Sequence, residues 1–156
     1  MNNLATTLKA LLLIFVTYHF SGCTKNENVV PPNMIGSWKV VSFDDNVNST
    51  KILKTDTNTW IEFNNGDNTM SFSKPTSTGG DVSVKNVTNG FIGKFVISPD
   101  NKILIKDGIW TDINEPEWGR LFRSIVLAET YKLSADNLVI FYNQKKNSIT
   151  LVKSNI

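Results

Sequence analysis

Short runs of alternating apolar and polar residues, each cut off by a turn signal, constrain this chain more than any other feature of its 156 residues. Alternation with a period of two marks a half-buried strand, and several such runs in succession imply an antiparallel sheet. Ile35 to Phe43 reads as the first, with Trp38 and Val40 on one face and Val41 and Phe43 on the other. Thr59 to Phe63 puts Ile61 and Phe63 inward, which turns Trp60 and Glu62 outward, and Met70 to Phe72 follows the turn Asn64-Asn65-Gly66-Asp67. Ser73 to Asn89 is rich in Ser, Thr, Gly, Asn and Pro, with three valines, and reads as a long irregular connection. Phe91 to Ile97 resumes the alternation with Phe91, Gly93, Phe95 and Ile97 inward, Gly93 permitting close packing or a bulge. Lys102 to Lys106 pairs back after the turn Ser98-Pro99-Asp100-Asn101. Thr130 to Leu133 and Leu138 to Tyr142 form another hairpin, and Ile149 to Val152 closes the chain.

One stretch follows the helical period instead. From Glu115 to Ala128, Trp118, Leu121, Phe122, Ile125, Val126 and Ala128 fall on a stripe about 160° wide, with Arg120, Arg123 and Ser124 opposite. Pro116 suits a first helical position, and Glu115 and Glu117 complement the positive end of the helix dipole. Leu127 sits among the arginines as a surface leucine. The expected fold is therefore α+β and mainly antiparallel β, a curved or partly closed sheet of about seven to eight strands packed on one helix in the C-terminal half.

The start of the chain reads as a targeting signal. Ala10 to Phe20 is an apolar run of 11 residues, too short to span a bilayer, which takes about 20. It ends in Phe20-Ser21-Gly22-Cys23, two small residues and the only cysteine, which fits the cleavage site of a secretory signal. These four positions resemble the bacterial lipobox, with Phe20 in place of the usual leucine. The resemblance implies cleavage before Cys23, a diacylglyceryl thioether on its sulfur and an acyl chain such as palmitate on its nitrogen. Residues 1–22 are then the signal peptide, 23–33 the lipidated cysteine and a polar, proline-containing spacer, and 34–156 the folded domain. The implied location is the cell envelope, on the outer membrane facing the periplasm.

The order Gly93-Lys94-Phe95-Val96-Ile97, Ile109-Trp110-Thr111, Glu117-Trp118-Gly119-Arg120-Leu121-Phe122, then Tyr131-Lys132-Leu133 and Leu138 to Tyr142 resembles the META-domain family from about residue 33 to 154. A Cys-Asn pair often precedes the glycine-led strand in that family, and Thr88-Asn89 stands there in this chain. The resemblance implies an antiparallel, partly closed sheet on one helix, in envelope proteins of mostly undefined activity. A lipocalin-like domain is the competing resemblance, carried by Gly36-Ser37-Trp38 at the first strand; it implies a carrier of a small apolar molecule in an interior cavity.

Composition narrows the chemistry. The single histidine, His19, lies in the signal segment, so a mature chain has no imidazole, and lipidation leaves it no thiol. Ser-His-Asp and Cys-His nucleophiles and zinc-thiolate sites are thereby excluded. With 16 Lys and Arg against 14 Asp and Glu, there is no basic excess for nucleic acid. Gly90 to Lys94 lacks the spacing and hydroxyl of a phosphate loop. Asp44-Asp45-Asn46-Val47-Asn48 spaces its oxygens as a calcium loop does, but Ser49 and Thr55 stand where that loop needs Gly and Glu. Asp112, Glu115 and Glu117 are the one carboxylate cluster that could serve a hydrolase of cell-wall glycans, and as acids at a helix start they stabilise without any function. The expectation is a non-enzymatic, monomeric contact protein without cofactor or metal, held to the membrane through Cys23 and meeting an envelope protein through a surface that includes Trp60 and Glu62.

Overall fold

The computed structural model describes residues 29–154. Its strands are β1 (Gly36–Asp45), β2 (Thr50–Ile52), β3 (Thr69–Ser73), β4 (Gly79–Lys85), β5 (Gly90–Ser98), β6 (Lys102–Trp110), β7 (Thr130–Leu133), β8 (Asn137–Tyr142) and β9 (Asn147–Ser154), with α1 (Glu117–Phe122) before β7. From β3 onward each strand pairs antiparallel with the next, β1 pairs with β3, and β9 returns to β1. The result is an eight-stranded closed barrel, with β2 as an extra strand on β1. Closure abolishes the unpaired edges of an open sheet, and it runs from Ser37 opposite Ser154 to Asp45 opposite Asn147.

The barrel interior is packed with side chains. Trp38, Met70, Phe72, Phe95, Leu138, Ile140, Ile149 and Leu151 are each less than 2% exposed, and fully burying a large apolar side chain is worth about 1.5–3 kcal/mol. Phe72 and Phe95 meet edge to face with ring centroids 4.8 Å apart. In β1 the register shifts between Val40 and Ser42, and this bulge turns Phe43 inward with Trp38 and Val40. The simple alternation had put Phe43 on the opposite face.

The barrel has one weak seam, and the helix lies there. β6 and β7 share a single bridge, Lys102 to Thr130. The chain between them forms α1 and, continuing it, a 3₁₀ segment Arg123–Leu127 that packs on β6 and β8. Trp118, Phe122 and Ile125 are wholly buried, while Arg120 and Leu127 are exposed. The stripe is the core face read from the sequence. It begins at Glu117, with Pro116 in extended conformation as the preceding cap.

Two segments differ from the sequence reading. Gly79 to Lys85, assigned to an irregular connection, is β4, with Val82 and Val84 buried and Asp81, Ser83 and Lys85 outward. Thr59 to Phe63, assigned to a strand, is a chain of turns leading into a 3₁₀ turn at Asn64–Gly66. The segment has no inward face of the expected kind: Ile61 is 65% and Phe63 49% exposed, Glu62 is exposed as expected, and Trp60, expected outward, is half-buried against the core. At the barrel end opposite α1's entry, Val30 is buried and its N–H bonds the Ser77 carbonyl at 3.1 Å.

Candidate functional site

The carboxylates at the helix entry are engaged in holding it. Glu115 is 4% exposed; its Oε1 accepts from the Thr88 N–H at 3.0 Å, and its Oε2 from the Asn89 N–H at 2.9 Å and Asn89 Nδ2 at 2.5 Å. Asn89 Oδ1 in turn accepts from the Ile113 N–H at 2.8 Å and the Thr111 hydroxyl at 3.2 Å. Charge-assisted bonds of this kind are stronger than neutral ones, so the β4–β5 loop and the chain entering α1 are locked together. Gly119 packs directly on this carboxylate, and a Cβ there would overlap Glu115 Oε1. The neighbouring amides of Asn68 and Asn86 bond the Trp118 and Gly119 carbonyls at 2.7 and 2.9 Å. Asp112 pairs with Arg123 at 2.6 Å, and Glu117 faces solvent. Of the three acids, Glu115 thus has both oxygens accepting inside the protein, while Asp112 and Glu117 are at the surface.

Between β2 and β3 the chain forms a lobe, residues 53–67, built mainly by polar bonds. Asn58 Oδ1 accepts from the Thr55 N–H at 2.9 Å, and its Nδ2 donates to the Leu53 carbonyl at 2.9 Å. The Thr59 hydroxyl donates to the Gly66 carbonyl at 3.0 Å. Lys54 bonds the Asn65 carbonyl at 3.1 Å and Asp67 at 2.6 Å, and Lys39 of β1 reaches the other Asp67 oxygen at 2.7 Å. Burial alone would raise the Asp67 pKa, but these two lysines outweigh it and hold the carboxyl below its ordinary value. The lobe meets the helix through one bond, the Trp118 N–H to the Asn58 carbonyl at 2.8 Å. On this scaffold Leu53, Ile61 and Phe63 stand exposed, with Glu62 between the last two and Trp60 beneath, 6.2 Å from the Phe63 ring.

A second exposed apolar surface lies on the outside of β4, β5 and β6. Ile92 and Ile109 face each other across the β5–β6 pair and are 73% and 82% exposed. They line a shallow, open groove of about 820 Å³ together with Asp81, Ser83, Lys85, Lys94, Asp107 and Thr111. The groove follows a bulge between Ile92 and Lys94. Inside the barrel the Phe91 ring lies against Gly93 and Gly108, and a side chain at either glycine would strike it. Close backbone approach at Gly93, expected from the sequence, is thus what bends the strands here.

The other sequence candidates fall apart from these surfaces. Cys23 and the signal segment lie outside the described residues. Asp45 caps its own turn through the N–H groups of Val47 and Asn48 at 2.9 and 3.1 Å, and Asp44 accepts from the Ser42 and Thr150 hydroxyls at 3.1 and 2.8 Å. Trp38 and Trp118 are core, and Lys153 covers the Trp38 ring at 4.4 Å. Sequence reasoning missed the clamp by Thr88 and Asn89, because a contact across 26 residues leaves no local pattern. Of the 60–63 run, Glu62 is outward as expected, Trp60 is half-buried, and Ile61 and Phe63, expected inward, are exposed.

Neither a family model nor a curated protein matches this sequence. Among solved structures, the chain is similar to a DUF4847 family protein from Bacteroides vulgatus, with a TM-score of 0.52 and 14% identity over 80% of this chain and 96% of that one. At that identity the likeness is one of fold: a barrel of this kind spans nearly the whole of the similar protein.

Proposed function

We propose that this chain is a lipid-anchored envelope protein that acts by contact, not catalysis, and that the lobe between β2 and β3 is its contact surface. The observation that carries this reading is the exposure of Ile61 and Phe63 on a segment fixed by side-chain hydrogen bonds, since a held apolar patch loses little conformational freedom when a partner covers it. The filled barrel interior favours contact over carriage of a small apolar ligand, and the engagement of Glu115 favours it over hydrolysis. The lipobox-like Phe20-Ser21-Gly22-Cys23 supplies the anchor, and the META-like motifs fit an envelope location. Two tests apply. Cys23→Ala should block processing and palmitate labelling and release the protein from membranes; unchanged cleavage and fractionation would remove the anchor. In a pull-down from envelope extracts, the mature domain should retain a partner that its Phe63→Asp variant loses, and equal capture by both would remove the lobe from the contact.

A further inference from the structure

The exposed apolar side chains are unevenly shared between the two ends of the barrel. Val47, Leu53, Ile61, Phe63 and Ile113 all belong to connections at the end where α1 enters. The connections at the other end, residues 74–78, 99–101 and 134–136, consist of Lys, Pro, Thr, Ser, Asp, Asn and Ala. Across that polar end runs the strap by which the chain enters the fold. The Val30 N–H bonds the Ser77 carbonyl of one connection at 3.1 Å, and the Asn33 amide donates to the Ser134 carbonyl of another at 3.4 Å. Lys153 holds the Asn33 and Ile35 carbonyls at 2.9 and 2.6 Å, and Met34 is wholly buried. The apolar exception at this end is Val29, exposed at the start of the strap.

Between Cys23 and Val30 lie six residues, which even fully extended span at most about 25 Å. The ten residues of β1, at an ordinary strand rise and tilt, make the barrel itself about 25 Å long. With the strap fastened at one end, the spacer would be used up along the barrel wall before the lobe at the other end reached the bilayer. A lipid surface would also have to take up Glu62, exposed between Ile61 and Phe63, and a carboxylate is costly to move out of water. We propose that the strapped end faces the bilayer that holds Cys23, and that the lobe is displayed about 25 Å or more from it, toward a protein partner standing off that bilayer. The inference rests on the anchor at Cys23 and on the lobe as contact surface, and adds the direction in which the lobe is presented.

The test uses the mature lipoprotein in vesicles of phosphatidylethanolamine and phosphatidylglycerol. A thioether at Cys23 does not react with maleimide, so Ser77→Cys and Ile61→Cys each carry one labelling site, the first at the strapped end and the second on the lobe. Both side chains are exposed, so melting should match the wild type. A nitroxide on the lipid headgroup should quench a fluorophore at position 77 several-fold more than one at position 61. Equal quenching at the two positions, or stronger quenching at 61, overturns the proposal, the latter by putting the lobe on lipid. The wild type separates this failure from that of the anchor: it should take no label, and labelling at Cys23 would remove the anchor and the display with it. If the wild type stays unlabelled while the lobe is quenched like the strapped end, the anchor stands and only the direction of display falls. Loss of a partner in Phe63→Asp tests the lobe itself and is independent of this geometry.

Discussion

Two insertions interrupt the same meander, and they are stabilised in opposite ways. The segment between β6 and β7 becomes a helix whose stripe of Trp118, Phe122 and Ile125 is wholly buried at the barrel's weak seam. The segment between β2 and β3 keeps Ile61 and Phe63 in solvent and draws its shape from Asn58, Thr59, Lys54 and Asp67. One is a core element that hydrophobic burial makes obligatory; the other is a surface element that hydrogen bonds hold open. The difference tells where function can reside, because a residue that the fold requires is not available for a partner.

The sharpest way to break this comparison is to remove one aromatic ring from each. Phe122→Ala should cost about 3–5 kcal/mol, the transfer of a buried ring plus the cavity it leaves. Phe63→Ala, in an exposed position, should change stability by no more than about 0.5 kcal/mol. Urea unfolding of the mature domain checks both, and equal shifts would mean that the lobe belongs to the core. Next in size is Gly119→Ala. The added methyl meets a carboxylate that already accepts three bonds, so Glu115 or the helix must shift. The expected loss is about 1–3 kcal/mol, as for other overpacked sites. An alanine tolerated without loss of melting temperature would show that the clamp on Thr88 and Asn89 is loose.

The two insertions were also unequally legible. The helix could be read because its apolar spacing matches a period that no strand shares, and the hairpins β5–β6 and β7–β8 could be read because Phe91, Phe95 and Ile97, or Leu138 and Ile140, alternate against polar neighbours. Strand β4 was hidden by Gly79-Gly80 and by outward Asp81, Ser83 and Lys85, which resemble loop composition although Val82 and Val84 keep the period. Closure of β9 on β1 joins the two ends of the domain and follows from no local signal. The lobe misled because Ile61 and Phe63 alternate as strand residues do, yet the backbone turns: Asn64 and Asn65 adopt φ of 48° and 54°, a left-handed conformation that ends any strand. Of the 60–63 run, Trp60 alone packs partly against the core.

A smaller perturbation tests whether polar bonds alone shape the lobe. Asn58→Ala removes the bonds to the Thr55 N–H and the Leu53 carbonyl but leaves the backbone bond to Trp118. Since the site is mostly solvated, the loss should be about 1 kcal/mol. Amide hydrogen exchange should accelerate at Thr55 while Phe122 stays protected. Faster exchange across α1 as well would mean that the helix depends on the lobe, contrary to the contrast drawn above.

The smallest loss among the bonded groups of the lobe should come from Asp67, which joins Lys54 of the lobe to Lys39 of β1. Burial opposes its ionisation, but the two lysines prevail and its pKa lies below the ordinary value. A carboxyl with a depressed folded pKa adds stability above its unfolded pKa of about 3.9, and that stability is lost as pH falls through the folded value. The Asp67 side chain is 15% exposed but Lys39 and Lys54 are 40% and 33% exposed, so solvent and salt screen the pairs in part, and Asp67→Asn should cost about 0.5–1 kcal/mol near neutral pH. Comparing wild type and variant by urea unfolding, the gap should be constant from about pH 7 to pH 5, narrow below about pH 4 and vanish once Asp67 is protonated in both states. It should also shrink with added salt. A gap that persists in acid would assign Asp67 a packing role, and the lobe would then share with the helix the reliance on burial that sets the two insertions apart.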